Sequence, residues 1–214
     1  MTVLTENETK KLLAGYGIPV TRGNIATNAD EALDIALSIG FPVAMKISSP
    51  DITHKTDVGG VLLDVGQDDI RTKYDELVSN IRASVPEARI EGVLVQQMAQ
   101  QGREVIIGLK KDAQFGHALM FGLGGIFVEV YRDVSFRIVP IDRNDGLRMI
   151  SEIKGYPILK GIRGRKPADI NAIADVLVSV SEMAGKEKIT ELDINPLIVG
   201  ERGAIAVDAR AILE

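Results

Sequence analysis

Residues 189–208 have the sequence ITELDINPLIVGERGAIAVD, in which two apolar runs flank a polar turn. The turn is Gly200 to Gly203, and the alternation of apolar and polar residues on either side predicts an antiparallel hairpin. Continuing the pairing from this turn along both strands sets Asn195 opposite Asp208. Their side chains should then share one face of the sheet, about 5 Å apart, so that their oxygens converge.

Period-two alternation adds Glu191 and Asp193 to the same face. Such a cluster of hard oxygen donors without soft ligands suits Mg²⁺ with retained water and bridging phosphates. Pro196 is a weak point, because a proline removes a ladder donor and can mark a bulge that slips the register by one residue. The alternative is a solvated acidic edge, in which Asp193 pairs with Arg210.

Upstream of this hairpin the pattern divides the chain near residue 90 into two α/β units, residues 1–90 and 91–214. Helical periodicity alternates with short strands in the first part, whereas strand-like runs in the second follow one another closely and predict antiparallel pairing. Pro167 suits the first turn of a helix that extends to Ala184. The expected fold class is therefore α/β in the α+β sense, with two units sharing a cleft instead of one doubly wound sheet.

Composition excludes several classes of function. The chain has 214 residues, a net charge of -5, no cysteine and two histidines, His54 and His117. Disulfide frameworks, thiolate zinc sites and multi-histidine metal centres are excluded. The acidic balance makes nucleic acid an unexpected partner. No run approaches the roughly 20 apolar residues of a membrane span, and the first residues are polar, so we expect a cytoplasmic protein without a membrane partner.

Two segments are candidates for contact with phosphate. Lys46 lies between apolar residues of a strand, where its ammonium is either solvated, as is usual on a sheet face, or directed into a polar cleft as a phosphate partner. Gly122-Leu-Gly-Gly125 lacks the residues of a P-loop and of a dinucleotide-binding motif. Gly124 and Gly125 therefore belong either to a tight loop whose N–H groups cradle an anion or to a simple turn.

His54 lies in a polar loop between two strands. A neutral imidazole can accept a phosphoryl group when its other nitrogen is held by a carboxylate, for which Asp51 or Asp57 is available. The alternative is an ordinary solvated histidine. His117, at the start of a strand, is expected to be a partly buried structural residue.

Four motifs together resemble the β subunit of ADP-forming (NDP-forming) acyl-CoA synthetases, a family that includes acetate–CoA ligase and is related to succinyl-CoA synthetase. The resemblance covers essentially the whole chain, in order. It implies the ATP-grasp fold, in which two subdomains hold ATP between them. The motifs are Lys46-Ile-Ser-Ser-Pro-Asp-Ile-Thr-His-Lys-Thr-Asp-Val-Gly-Gly60, Gly102-Arg-Glu-Val-Ile-Ile-Gly108, Phe115-Gly-His-Ala-Leu-Met-Phe-Gly-Leu-Gly-Gly-Ile-Phe-Val-Glu129 and Glu191-Leu-Asp-Ile-Asn-Pro196.

The resemblance also implies roles for individual residues. Lys46 would bind the nucleotide phosphates, the adenine would lie against Gln97 and Met98, and Glu104 would contact the ribose side. Asn195 and Asp208 match the positions that hold Mg²⁺ in related synthetases, with Asp193 beside them as a third oxygen donor. His54 matches a second phosphohistidine that passes its phosphoryl group to ADP.

The implied reaction converts acyl-CoA, ADP and phosphate to acid, CoA and ATP, and this chain would perform only the last phosphoryl transfer. An α subunit with CoA-binding and ligase domains is required, as a separate chain, in an α₂β₂ assembly, or fused. The acyl group, the choice of ADP or GDP, and whether the His54 loop swings stay open. Alternatives are a regulatory nucleotide-binding ATP-grasp domain of a fused acyltransferase, an ATP-grasp ligase without phosphohistidine, and a structural interaction domain.

Overall fold

A computed structural model describes residues 1–52, 55–125, 131–162 and 164–214. Over these ranges the chain divides into two compact units. The N-terminal unit comprises Thr5–Asn7 and Thr21–Met98, and the C-terminal unit comprises Met1–Leu4, Glu8–Val20 and Ala99–Glu214. No helix in the described ranges has the length and apolar character needed to cross a membrane.

The elements alternate between helix and strand at first and are then mostly strands. The helices are α1 (Glu6–Gly15), α2 (Ala29–Ile39), α3 (Ile70–Ser84), α4 (Arg143–Glu152), α5 (Tyr156–Leu159) and α6 (Ile170–Lys186). The strands are β1 (Thr2–Val3), β2 (Gly23–Ala26), β3 (Val43–Ser48), β4 (Val61–Val65), β5 (Gly92–Gln97), β6 (Arg103–Asp112), β7 (Gly116–Leu123), β8 (Val134–Ile138), β9 (Ile189–Val199), β10 (Ala204–Ala206) and β11 (Ala209–Leu213).

In the N-terminal unit an antiparallel four-stranded sheet, in the order β2-β5-β3-β4, packs against α2 and α3. Helix α2 begins after the N-cap Asn28, whose side chain accepts a hydrogen bond from the Glu31 N–H. Tyr74, Leu77 and Ile81 of α3 are buried at helical spacing and cover the sheet.

In the C-terminal unit a seven-stranded sheet has the order β1-β11-β9-β6-β7-β8, with β10 pairing with β9. All of these pairings are antiparallel, as the closely spaced strand runs predict. Strand β9 is central: it pairs with β6, β10 and β11, and its residues alternate between buried and exposed positions over Glu191–Asn195.

Helix α6 supplies much of the core beneath this sheet, with Ile173, Leu177 and Val180 buried along one stripe. The prediction that Pro167 opens this helix is wrong. Asp169 is the N-cap, because its carboxylate accepts hydrogen bonds from the N–H groups of Ala172 and Gly203 and thereby fixes both the helix start and the neighbouring turn.

The boundary between the two units does not coincide with a single division near residue 90. Strand β5 follows that point in sequence but forms the centre of the first sheet, between β2 and β3. Residues Glu8–Val20 precede it but belong to the C-terminal unit, where Leu13 and Ile18 are part of the larger core. Membership therefore follows strand pairing and core packing, not chain order.

The hairpin has the register that its turn predicts. Val199 lies opposite Ala204, and the same pairing continues on β11, where Asp193 lies opposite Arg210. Between these stretches the Asn195 N–H donates to the Asp208 carbonyl over 3.1 Å. Pro196 accepts a hydrogen bond from the Val207 N–H through its carbonyl, so the proline does not shift the register of the hairpin. On the other side of β9, the pairing with β6 slips by one residue next to Pro196, between Val105 and Ile107, so the expected bulge is present there.

Candidate functional site

Lys46 is buried, so the expectation of an ordinary solvated lysine is wrong. All six residues of β3 are buried because β4 and β5 flank the strand. The Lys46 ammonium lies 2.8 Å from Oε1 of Glu6, and the two side chains are only 6% and 4% exposed. A buried charge is tolerated only when it is paired and hydrogen-bonded, so the structure holds this ammonium in a fixed place.

Glu6 carries a second cation. The Lys55 ammonium lies 3.2 Å from Oε2 of the same carboxylate and is also largely buried. Sequence reasoning missed Glu6, because its local pattern is that of a helix start and gives no signal for a partner forty residues away. Glu6 therefore joins the strand that carries Lys46 to the segment that follows His54.

His54 itself lies outside the described residues, and so does Thr53. The residues after His54 form a 3₁₀ turn, Lys55–Val58. The Gly60 N–H donates to the Lys55 carbonyl over 2.7 Å, which closes this turn. Asp51, one of the two carboxylates expected to hold the His54 ring, accepts a hydrogen bond from the Arg89 N–H over 2.8 Å.

Gln97 and Met98, the predicted adenine contacts, lie at the end of β5 and are half-buried. The Gln97 side-chain oxygen accepts hydrogen bonds from the N–H and Nε of Arg22, at 3.2 and 2.8 Å. The Gln97 N–H donates in turn to the Arg22 carbonyl. These contacts fix the strand end in position, and the nucleotide contact stays a prediction.

The predicted ribose residue and the glycine loop lie together. The Gly124 N–H donates to the Glu104 carbonyl over 2.8 Å. A Cβ added at Gly124 would come within 3.0 Å of the Glu104 Cβ, so this close approach favours glycine. Gly125 has φ +64°, a conformation that glycine adopts without strain. Three residues predicted separately to contact nucleotide are thus neighbours at one end of β6 and β7.

The face of β9 that carries Glu191, Asp193 and Asn195 is exposed, and Asp208 is opposite Asn195. Although Asp193 as a residue is exposed, desolvation raises the pKa of its carboxyl, and the carboxylates of Asp208 and Glu191 raise it further. Arg210 acts in the opposite direction, but no ion pair joins it to Asp193 in the described ranges. The acidic edge neutralised by Arg210 is therefore not observed there.

This donor set fits Mg²⁺, because it offers carboxylate and amide oxygens and concentrates negative charge that a divalent cation would relieve. This match to Mg²⁺ depends on the side-chain amide oxygen of Asn195 as well as on the carboxylates. Among the described residues, no group of three or more histidine, aspartate or glutamate side chains is arranged to hold a metal ion.

His117 behaves as predicted for a structural histidine. It is half-buried at the start of β7, and its Nε2 lies 2.7 Å from the Ile189 carbonyl oxygen, in the next strand but one. It therefore contributes to the packing of the sheet and serves as a natural control for His54.

Comparison with known proteins gives one family and close relatives over nearly the whole chain. The model of the ATP-grasp domain family matches residues 1–213. The chain is 50% identical to the β subunit of acetate–CoA ligase [ADP-forming] II of Pyrococcus furiosus, covering 100% of this chain and 92% of that one. It is 52% identical to acetate–CoA ligase [ADP-forming] I of Archaeoglobus fulgidus over 94% of its own length, but spans only 30% of that longer protein.

Solved structures agree. A dinucleotide-forming acetyl-coenzyme A synthetase 1 of Ca. Korarchaeum cryptofilum, in complex with coenzyme A, Ca-AMPCP and HgCl⁺, superposes with a TM-score of 0.97 at 46% identity over 99% of this chain and 93% of that chain. A second structure of that protein holds coenzyme A and Mg-AMPPCP, with its phosphohistidine segment pointing towards the nucleotide-binding site. Its TM-score is 0.87 at 44% identity over the same shares of the two chains.

Proposed function

The chain belongs to the ATP-grasp domain family, and we propose that it is the nucleotide-binding β component of an ADP-forming acyl-CoA synthetase. In this role it transfers a phosphoryl group from His54 to ADP, which forms ATP and regenerates neutral imidazole. Acyl-CoA and phosphate enter the reaction earlier, as acyl phosphate is formed and then phosphorylates a histidine. The acid and CoA leave at those earlier steps.

The observation that carries the proposal is the register that sets Asn195 against Asp208 on a strand face with Asp193 and Glu191. Oxygen donors grouped in this way suit a magnesium nucleotide better than a purely structural surface. Asn195, Asp208 and Asp193 would hold Mg²⁺, which supplies charge neutralisation on the transferring phosphoryl group.

The remaining residues bind and orient the nucleotide. Lys46 supplies a compact positive charge for the phosphates, and a phosphate oxygen that reaches it would compete with the Glu6 carboxylate. Glu104 would orient the ribose, while Gln97 and Met98 would border the adenine. Phosphoryl transfer needs mainly positioning and charge stabilisation, which these groups provide without covalent chemistry of their own.

We propose that a second component supplies acyl phosphate. The chain spans nearly all of a relative that is a β subunit and about a third of a relative that is a single long ligase. An α component with CoA-binding and ligase domains, in an α₂β₂ complex or fused to this chain, completes the reaction. The α component would also determine which acyl group the complete enzyme accepts.

The test is to combine the chain with an α component and to measure ATP formation from acetyl-CoA, ADP and phosphate, together with acid-labile phosphate on this chain. His54→Ala should abolish both signals. His117→Ala is the matched control, since His117 contacts a backbone carbonyl of its own sheet, and it should retain acid-labile phosphate. Normal turnover of the His54→Ala complex would defeat the relay.

A further inference from the structure

Arg103 and Glu104 are consecutive in β6 and therefore point to opposite faces of the sheet. Glu104 is exposed, whereas Arg103 shares its face with the buried residues Val105 and Ile107. The Arg103 Nε is shielded from solvent and has no hydrogen-bond partner among the described residues. A shielded donor of a charged group without a partner is costly, so this guanidinium calls for an explanation.

Arg103 lines a pocket of about 390 Å³ within the C-terminal unit, which is open to solvent on one side. That volume lies within the usual range for small-molecule sites. Arg165 and Lys166 also line it, together with Gly200 and Glu201. Among the side chains that line it, three cations against one carboxylate leave a net positive charge of two. The Lys166–Glu201 ion pair is 2.8 Å long, but its side chains are 72% and 58% exposed, so it neutralises little of the field.

The walls of this pocket are fixed by the backbone. The Asp169 N–H donates to the Gly200 carbonyl, and the Asp169 carboxylate accepts from the Gly203 N–H, each over 2.8 Å. Backbone donors, that of Gly203 first, lower the pKa of Asp169, so this clamp stays charged. A Cβ at Gly161, where φ is +88°, would come within 2.4 Å of the Arg165 carbonyl oxygen. The segment that carries Arg165 and the turn that carries Glu201 are therefore held in place by contacts that tolerate little change.

We propose that this pocket, on the face of β6 opposite to Glu104, binds a tetrahedral phosphate-type oxyanion. Two guanidinium groups offer forked donors that match a phosphate, and the excess charge of two matches its dianion. The anion is either inorganic phosphate or the terminal group of a small phosphomonoester, since both present the same oxygens.

The experiment is calorimetric titration of inorganic phosphate into the 214-residue chain at low ionic strength, with glycerol 3-phosphate as a second probe. Arg103→Gln and Arg165→Gln should each weaken phosphate binding about tenfold or more, since a hydrogen bond to a charged group contributes about 1.5–3 kcal/mol. Arg165 is exposed, so its variant keeps the fold if Arg103→Gln does not. Tighter binding of inorganic phosphate would identify the free anion as the ligand, and tighter binding of glycerol 3-phosphate would identify a phosphomonoester.

Arg202→Gln is the matched control. Arg202 is an exposed arginine of the adjacent turn that does not line the pocket, and its loss should leave phosphate affinity unchanged. Equal losses in the Arg165 and Arg202 variants would overturn the proposal, because they would indicate diffuse attraction. Phosphate binding that disappears at saturating ADP would also overturn it, by assigning the anion to the nucleotide-phosphate site. Should phosphate not bind while Arg103→Gln weakens assembly with an α component, the pocket instead receives a protein carboxylate.

Discussion

The two units treat charge in opposite ways. The N-terminal unit buries the Lys46 ammonium against the Glu6 carboxylate and satisfies it within its own fold. The C-terminal unit gathers the carboxylates of Glu191, Asp193 and Asp208 around one strand face, and their mutual repulsion contributes to the raised pKa of Asp193. The first arrangement is stable without a ligand, whereas the second improves when a cation arrives. A divalent cation such as Mg²⁺ would thus supply the counter-charge that the acidic face of the C-terminal unit lacks among its own carboxylates.

The largest effect is expected from breaking the buried pair. Glu6→Gln removes the carboxylate that pairs with the Lys46 and Lys55 ammonium groups and should lower the free energy of unfolding by about 3–5 kcal/mol. Lys46→Met should cost less, because the Glu6 carboxylate keeps the Lys55 ammonium 3.2 Å away, and the double variant should lose less than the sum of the two single variants. Denaturant unfolding followed by circular dichroism measures all four proteins. Single variants that each lose less than about 1 kcal/mol, the range of exposed pairs, would contradict the internal pairing.

Removing a carboxylate from the acidic face should affect activity more than stability. Asp208→Asn, in complex with an α component, should slow ATP formation about 10²- to 10³-fold, because transition-state charge stabilisation worth a few kcal/mol is lost. Glu191→Gln, on the same face but outside the proposed ligand set, is the control and should retain most activity. Rates measured across a magnesium titration check both variants. Equal losses of activity in the two variants would contradict the prediction, because they would show that the net charge of the face, and not Mg²⁺ ligation by Asp208, determines the rate.

An exposed pair in the N-terminal unit should matter far less than the buried one. Arg71 and Asp30 lie 2.7 Å apart with side chains 58% and 79% exposed. Arg71→Ala should cost about 0.2–1 kcal/mol, and less in high salt, because water and ions screen the pair. Thermal unfolding at two salt concentrations measures this. A loss as large as that of Glu6→Gln would show that burial does not explain the first prediction.

The smallest effect concerns pH. The pKa of Asp193 is raised in the folded chain, so the folded state binds more protons and this group's contribution to stability falls as pH rises from the ordinary carboxyl range through the raised value. Asp193→Asn should therefore stabilise the chain at pH 7, by at most about 0.5 kcal/mol for a surface change, and not below pH 3. Thermal unfolding of both proteins across this range tests the sign. Saturating Mg²⁺ should reverse the difference at pH 7.

Sequence predicted the parts of this comparison that depend on local rules. The register of Asn195 and Asp208 follows from a turn and a period of two. The partner of Lys46 could not be predicted in this way. Glu6 reaches that strand only through the tertiary fold, and the local pattern around it describes a helix start equally well.

The start of helix α6 and the pairing of strand β5 each had two possible solutions, and the sequence pattern alone does not favour one of them. Pro167 and Asp169 are both good residues for a helix start, and Asp169 prevails because it also holds the Gly203 N–H. Strand β5 pairs with β2 and β3. In sequence, however, it directly precedes β6, β7 and β8, which belong to the other sheet. The ATP-grasp fold could be predicted from the motifs. The Asp169–Gly203 hydrogen bond and the pairing of β5 could not, because they depend on the tertiary fold.

Strand β9 alternates exposed polar and buried apolar side chains residue by residue from Glu191 to Asn195, and two of the three polar residues are acidic. A deletion of one amino acid within this segment would rotate every later position, moving carboxylates into the interior and isoleucine or leucine outward. Insertions in the turn at Gly200–Gly203, where Glu201 and Arg202 are exposed, would spare that alternation. Length variation among descendants of this chain should therefore be purged more strictly from the stem of the hairpin than from the exposed Glu201 and Arg202 at its tip.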